Sequence, residues 1–264
     1  MKSSKVIAES TRIIIKVGSS SITGANEAQL DRIVDLAAEL RSAGKEVLIV
    51  SSGAIATAAP ILGLTVKSDD LPTSQALASI GQAKLMSRYE KSLARHELMP
   101  GQILLTVENL DSEITASNAL RALDRLLEIG VIPIINENDS VATHEIRFGD
   151  NDQLAARVAK ITQADLLILL SDIDGLYSKP PQQPDAVHIP VVPYGGDLDH
   201  VEVSGTSTGY GTGGALTKLA AAQLATAGGV GVILTATENV GDLVDGSCKH
   251  TWFESGRSFE SIRR

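Results

Sequence analysis

The chain has 264 residues, is 43% hydrophobic and 21% charged, and carries a formal net charge of -9. That length buries a full core in one unit, and the composition excludes long disorder. The negative balance excludes a general binder of nucleic acid or anionic membrane, which needs a basic surface.

The opening MKSSKVIAESTR is polar and contains Glu9, so it lacks the apolar centre of an export signal. Nowhere does an apolar run approach the roughly 18 residues that span a bilayer. Cys248 stands alone and leaves neither an internal disulfide nor a cysteine cluster for zinc. A cytoplasmic protein without membrane contact is expected.

Along the chain, short apolar runs predict strands at Ile13–Val17, Val47–Ser51, Gln102–Leu105, Val131–Asn136, Leu166–Ser171 and Val230–Thr235. Between them, helical periodicity predicts helices over Ala28–Arg41, ended by Gly44, over Thr73–His96, and over Ser117–Ile129, ended by Gly130. Strands that are apolar throughout and alternate with helices imply an α/β fold, with a mainly parallel sheet covered on both faces. Two stretches break the rhythm: Val141–Phe148, expected as a β-hairpin, and the Pro- and Gly-rich Ser178–Gly214. Both read as loops that serve a site. No linker divides the chain, so one domain over residues 1–264 is expected.

The first strand runs out through Lys16-Val17-Gly18-Ser19-Ser20. A lysine at the carboxyl end of a strand, followed by glycine and hydroxyl residues, either holds a phosphate beside free backbone N–H groups or is a surface lysine at a tight turn. The spacing is neither a Walker A loop nor a dinucleotide fingerprint. After the second strand, Ser52-Gly53 marks either a ligand crevice or a close helix–strand contact. Asn136-Glu137-Asn138-Asp139 follows a buried strand, where so many polar side chains cap a turn or bind something polar, and an amino acid's ammonium group suits them.

Asp150-Asn151-Asp152 opens a helix. One acid is accounted for as a helix cap, and the others are free to orient lysines or coordinate a metal. Ser171-Asp172 closes the Leu166–Ser171 strand. Thr212-Gly213-Gly214-Ala215-Leu216-Thr217-Lys218 leads into an alanine-rich helix, with glycines and a lysine suited to phosphate.

In this order, IIIKVGSSSITG, IVSSGAIA, PIINENDSVAT, FGDNDQLAA, LLSDIDGLY and GTGGALTK resemble the glutamate 5-kinases of the amino acid kinase family. The resemblance covers nearly the whole chain. It implies a three-layer αβα sandwich that transfers the γ-phosphoryl group of ATP, with Mg²⁺, to the side-chain carboxylate of L-glutamate, the first step of proline synthesis. It further implies that Lys16 and Lys218 stabilise the transferring group while Asp152 holds both. Ser52, Asp139 and Asn151, with Gly53 and Asn136 beside them, match glutamate-binding positions.

Lys16, Ser171, Asp172 and the run from Thr212 to Lys218 match the ATP-binding segments. Proline as a feedback inhibitor and a homo-oligomer, dimer or tetramer, come with the same resemblance. Many relatives carry a C-terminal PUA domain, and none is expected within these 264 residues. Serine stands at position 171 where threonine is usual, Lys179-Pro180-Pro181 replaces the common Asp-Pro, and Ser204–Gly211 is longer than usual. Rival readings are an acetylglutamate, aspartate or nucleoside-monophosphate kinase, the first disfavoured by the polar Asn136–Asp139 cluster, and a non-catalytic amino-acid sensor.

Overall fold

The computed structural model describes residues 1–65, 70–141, 151–198, 201 and 214–256. In chain order the helices and strands are α1 (Ser3–Glu9), β1 (Arg12–Val17), α2 (Gln29–Ser42), β2 (Glu46–Ser51), α3 (Ala54–Ile61), α4 (Leu71–Ala94), β3 (Pro100–Leu105), α5 (Val107–Asp111) and α6 (Glu113–Glu128). They continue with β4 (Ile132–Glu137), α7 (Asn151–Ile161), β5 (Leu166–Ser171), β6 (Leu176–Tyr177), β7 (His188–Ile189), β8 (Val191–Val192), α8 (Ala215–Ala227), β9 (Gly231–Ala236) and β10 (Thr251–Phe253).

The main sheet runs β3-β4-β2-β1-β5-β9-β10-β8. From β3 to β9 every pairing is parallel, whereas β10 is antiparallel to β9. Side chains alternate across β1: Ile13, Ile15 and Val17 enter a core with α1, α2 and α4, while Ile14 enters a second core with α6, α7 and α8. Helices therefore cover both faces, giving three layers, αβα. Full burial of each such Ile or Leu contributes roughly 1.5–3 kcal/mol, which sets the sheet order firmly. Lys16 shares the face of Ile14 and so points toward α7 and α8, in register with Val50 on one side and Leu169 on the other.

The expected strands all form, with ends shifted by a residue or two. Helix α4 starts two residues earlier than its periodicity suggests, because the Asp70 side chain accepts from the Thr73 N–H and Pro72 occupies the first turn. Several short elements, α3, α5 and β8 among them, have no counterpart in the predicted runs. Helix α1 lies in the polar leader, where Val6 and Ile7 are buried. The Pro-rich stretch holds the small β6–β7 ladder. Strand β10 is too short for periodicity to show, and it packs the Trp252 ring over Gly231, where even a Cβ would lie 2.1 Å from the ring. The expected hairpin at Val141–Phe148 falls, apart from Val141, outside the described residues, and Val141 closes a short 3-10 turn from Asp139.

Candidate active site

The parallel strands end along one edge, and two groups of side chains gather there. In the first, Lys16 from the end of β1 and Lys218 from the first turn of α8 converge on Asp152 in the first turn of α7. Lys16 Nζ lies 2.5 Å from Asp152 Oδ1, and Lys218 Nζ lies 3.3 Å from Oδ2. Thr217 donates its hydroxyl to the same Oδ2 at 2.9 Å. Lys16, Asp152 and Lys218 are 4%, 1% and 7% exposed, which rules out the surface-lysine reading of position 16.

Burial by itself raises the Asp152 pKa, but the charges of Lys16 and Lys218, with hydrogen bonds from Lys16 and Thr217, outweigh it and hold the carboxyl at about 2. Lys218 moves downward, first through burial and then through the like charge of Lys16, against the pull of Asp152 and Asp172. Two ammonium groups facing one carboxylate leave a buried positive charge in excess. An anion brought to this place supplies the missing partner.

The second group is neutral. Asn151, adjacent to Asp152 on α7, donates from Nδ2 to Ser52 Oγ at 2.9 Å and to Asn136 Oδ1 at 3.2 Å. Asn136 donates in turn to Gln82 Oε1 on α4 at 2.8 Å, and Gln82 to Gln102 Oε1 on β3 at 3.1 Å. Gly53 follows Ser52 at φ +105°, a left-handed turn from β2 into α3. An added Cβ there would meet nothing closer than 3.6 Å, so the glycine serves this turn and not a close approach.

The sequence pattern of the amino acid kinase family matches residues 11–235. The chain belongs to the amino acid kinase family. It is 52% identical to glutamate 5-kinase of Clavibacter sepedonicus over 247 residues, covering 94% of this chain and 95% of that one. It is also 52% identical to glutamate 5-kinase of Leifsonia xyli over 248 residues, covering 94% and 92%. Carbamate kinase from Giardia lamblia bound to AMP-PNP shares the fold with a TM-score of 0.66 at 13% identity, over 94% of this chain and 99% of that one.

Within this amino acid kinase frame, the remaining expected positions fall as follows. Ser171 ends β5 and Asp172 follows it, joined by a 3.0 Å hydrogen bond from Ser171 Oγ to Asp172 Oδ1. Gly214 caps α8 in an extended conformation, Ala215 opens it, and Leu216 turns outward, 55% exposed. Thr212, Gly213 and Asp150 lie outside the described residues. Asp139 sits half-buried in the turn after β4.

Of the Asn136–Asp139 cluster, Asn136 faces the amide group, whereas Glu137 shares a face with Ile135, which packs in the α6–α8 core. Burial, and then the charges of Asp139 and Glu108, push the Glu137 carboxyl up to about 7. Asp152, which could have coordinated a metal, is taken up by lysines and a threonine. Among the described residues no three His, Cys, Asp or Glu side chains converge on an ion position. Mg²⁺ beside a nucleotide needs only one or two carboxylates, so an ion that came with ATP would be held mainly by its phosphates.

Sequence reasoning missed Gln82 and Gln102. The signal for Gln82 was present: Ser74, Leu77, Ala78, Gly81, Gln82, Leu85 and Tyr89 form the buried stripe of α4, and a glutamine in the middle of it needs partners. It also missed a polar group around Lys249. There Lys249 donates to the Tyr177 hydroxyl at 2.6 Å, and Tyr177 donates to Asp174 Oδ1 at 2.6 Å.

Proposed function

We infer that this chain transfers the γ-phosphoryl group of ATP to the side-chain carboxylate of L-glutamate, giving ADP and L-glutamyl 5-phosphate. The observation that carries the phosphoryl-transfer half is the excess positive charge where Lys16 and Lys218 share Asp152. The acceptor half is supported by Ser52, Asn136 and Asn151, which meet around one set of hydrogen bonds at the same edge, and by the relatives that bear the glutamate 5-kinase name.

The acceptor needs no general base, since a glutamate carboxylate titrates near 4.3 and is ionised at neutral pH. One carboxylate oxygen attacks the γ-phosphorus, the bond from phosphorus to the bridging oxygen breaks, and ADP leaves with the electron pair. Carboxylate, transferring group and ADP are all anionic, so the barrier is set by position and charge. Lys16 and Lys218 meet the charge on the transferring group. Asp152 keeps both ammonium groups aimed, and Thr217 fixes Asp152.

Ser171, Asp172 and the chain from Thr212 to Thr217 receive the nucleotide, with Mg²⁺ carried on its phosphates. Ser52, Gly53, Asn136, Asp139 and Asn151 receive glutamate. Its product is an acyl phosphate that water cleaves readily, so a site closed to water suits it. A cytoplasmic homo-oligomer restrained by proline belongs to the same reading, on family resemblance. Gel filtration and a proline titration of the rate test those two points.

The deciding experiment incubates the protein with ATP and Mg²⁺, offers glutamate, aspartate or acetylglutamate separately, and traps acyl phosphate with hydroxylamine. Hydroxamate from glutamate alone supports the reading. Hydroxamate from another acceptor instead, or from none, overturns it.

A further inference from the structure

The neutral group has a direction, and one peptide bond sets it. The backbone N–H of Glu137 points at Asn136 Oδ1 (2.9 Å) and at Asn151 Oδ1 (3.2 Å). A peptide N–H can only donate, so both atoms it meets are amide oxygens, and the orientation of both asparagines follows. The Asn151 amide nitrogen then faces Ser52 Oγ and Asn136 Oδ1, and the Asn136 amide nitrogen faces Gln82. An amide nitrogen also can only donate, so Gln82 must present Oε1 to Asn136 and its own nitrogen to Gln102.

Every hydrogen bond of the chain therefore has one possible sense. At its far end Ser52 Oγ is an acceptor, and among the described residues its hydroxyl proton has no acceptor of its own.

We propose that Gln82 is a positioning residue for the acceptor site: with the sense of both asparagines set by the Glu137 N–H, it anchors the Asn136 amide from the α4 side, and so steadies Asn151 and the Ser52 hydroxyl, whose proton is left free for a carboxylate oxygen of the acceptor. Gln82 touches no acceptor itself. It is 8% exposed, and its partner Gln102 lies on the exposed side of β3, so the chain runs from the surface of the molecule to the site. Without the Gln82 oxygen, the Asn136 amide loses its partner on the α4 side. The Glu137 N–H still holds the Asn136 oxygen, but the amide plane is no longer anchored at its nitrogen and can tilt, which weakens its bond from Asn151 and loosens the grip on Ser52. The same geometry states a preference: a serine that must donate favours an anionic oxygen over an ammonium group, so the ammonium end of the acceptor belongs elsewhere in the site.

The proposal rests on the acceptor reading given above, and the experiment separates the two. The full chain is assayed as the unaltered protein, Gln82→Met, Ser52→Ala and the double variant, with KM for glutamate, KM for ATP and kcat measured for each. KM does not depend on the fraction of protein folded, so a partly unfolded variant still reports. Gln82→Met is expected to raise KM for glutamate about ten-fold with KM for ATP within two-fold. In the Ser52→Ala background the same change is expected to have little further effect, because the proton it positions is gone.

If Ser52→Ala leaves KM for glutamate unchanged, the acceptor reading fails and takes the proposal with it. If Ser52→Ala raises KM but Gln82→Met does not, or raises it by the same factor in both backgrounds, the acceptor reading stands and the proposal is overturned.

Discussion

Asn151 and Asp152 are neighbours on one helical turn, yet they serve two groups built on opposite principles. Asp152 joins a charged group in which two lysines compete for one carboxylate, and burial strengthens every interaction within it. Asn151 joins a neutral chain in which each amide has a nitrogen that donates and an oxygen that accepts, and geometry alone decides the arrangement. The charged group is poised, with positive charge left over. The neutral chain is satisfied except at its end. That difference suits a transferring anion in one case and a substrate chosen by shape and hydrogen bonding in the other, and it can be broken from either side.

The largest effect is expected from Lys218→Ala, which removes the excess positive charge of the group: turnover should fall at least about 10²- to 10³-fold while the far-ultraviolet circular dichroism stays unchanged. Wild-type turnover would leave the charged group without a catalytic role. Next comes Asp152→Asn, which keeps the shape but leaves two buried ammonium groups without their counter-ion. Breaking a buried pair in this way costs about 3–5 kcal/mol, so chemical denaturation should show a clear loss of stability along with the loss of turnover. A variant as stable as the parent would show that water already screens these charges.

On the neutral side, Asn151→Ala should raise KM for glutamate by roughly 10-fold, the consequence of about 1–2 kcal/mol of lost hydrogen bonding, with a much smaller change in KM for ATP. Equal changes in both constants would merge the two groups into one.

The smallest effect concerns Glu137. Its folded pKa, raised to about 7, lies above the value of 4.5 for the free side chain. Protonation therefore favours the folded state: this contribution is intact below about pH 4.5 and is lost as pH rises through about 7. Glu137→Gln should flatten that loss, so its melting temperature relative to the parent should be higher at pH 8 than at pH 5. The difference is on the order of 1 kcal/mol. Parallel curves for the two proteins would mean that the carboxyl is already ionised across this range.

Much of the frame was legible because buried parallel strands are apolar along their whole length. Ile13–Ile15, Val47–Val50 and Leu166–Leu170 announce themselves without alternation. The lysines were legible as chemistry but not as neighbours, since Lys16 and Lys218 meet only because β1 and α8 end at the same edge. Gln82 was harder to see: its role depends on Asn136, 54 residues away. Glu137 misled for a plainer reason. Read as part of a polar run it belongs with Asn136, but alternation along β4 sends it to the opposite face. Strand β10 gave almost no periodic signal, because its register comes from an aromatic ring lying on a glycine.

Gly81, the residue before Gln82, carries a consequence for anyone altering this scaffold. A Cβ placed there would lie 1.7 Å from the carbonyl oxygen of Ala54, so α4 crosses the start of α3 with backbone against backbone. Ala54 follows Ser52 and Gly53, and Gly81 precedes Gln82, so two members of the amide chain, Ser52 and Gln82, both sit next to this one crossing. A single methyl group at position 81 would act as a wedge between them. Acceptor preference can then be tuned by helix spacing from a position that never meets the substrate, and directed variation of acceptor choice would do well to include the helix crossing as well as the pocket wall.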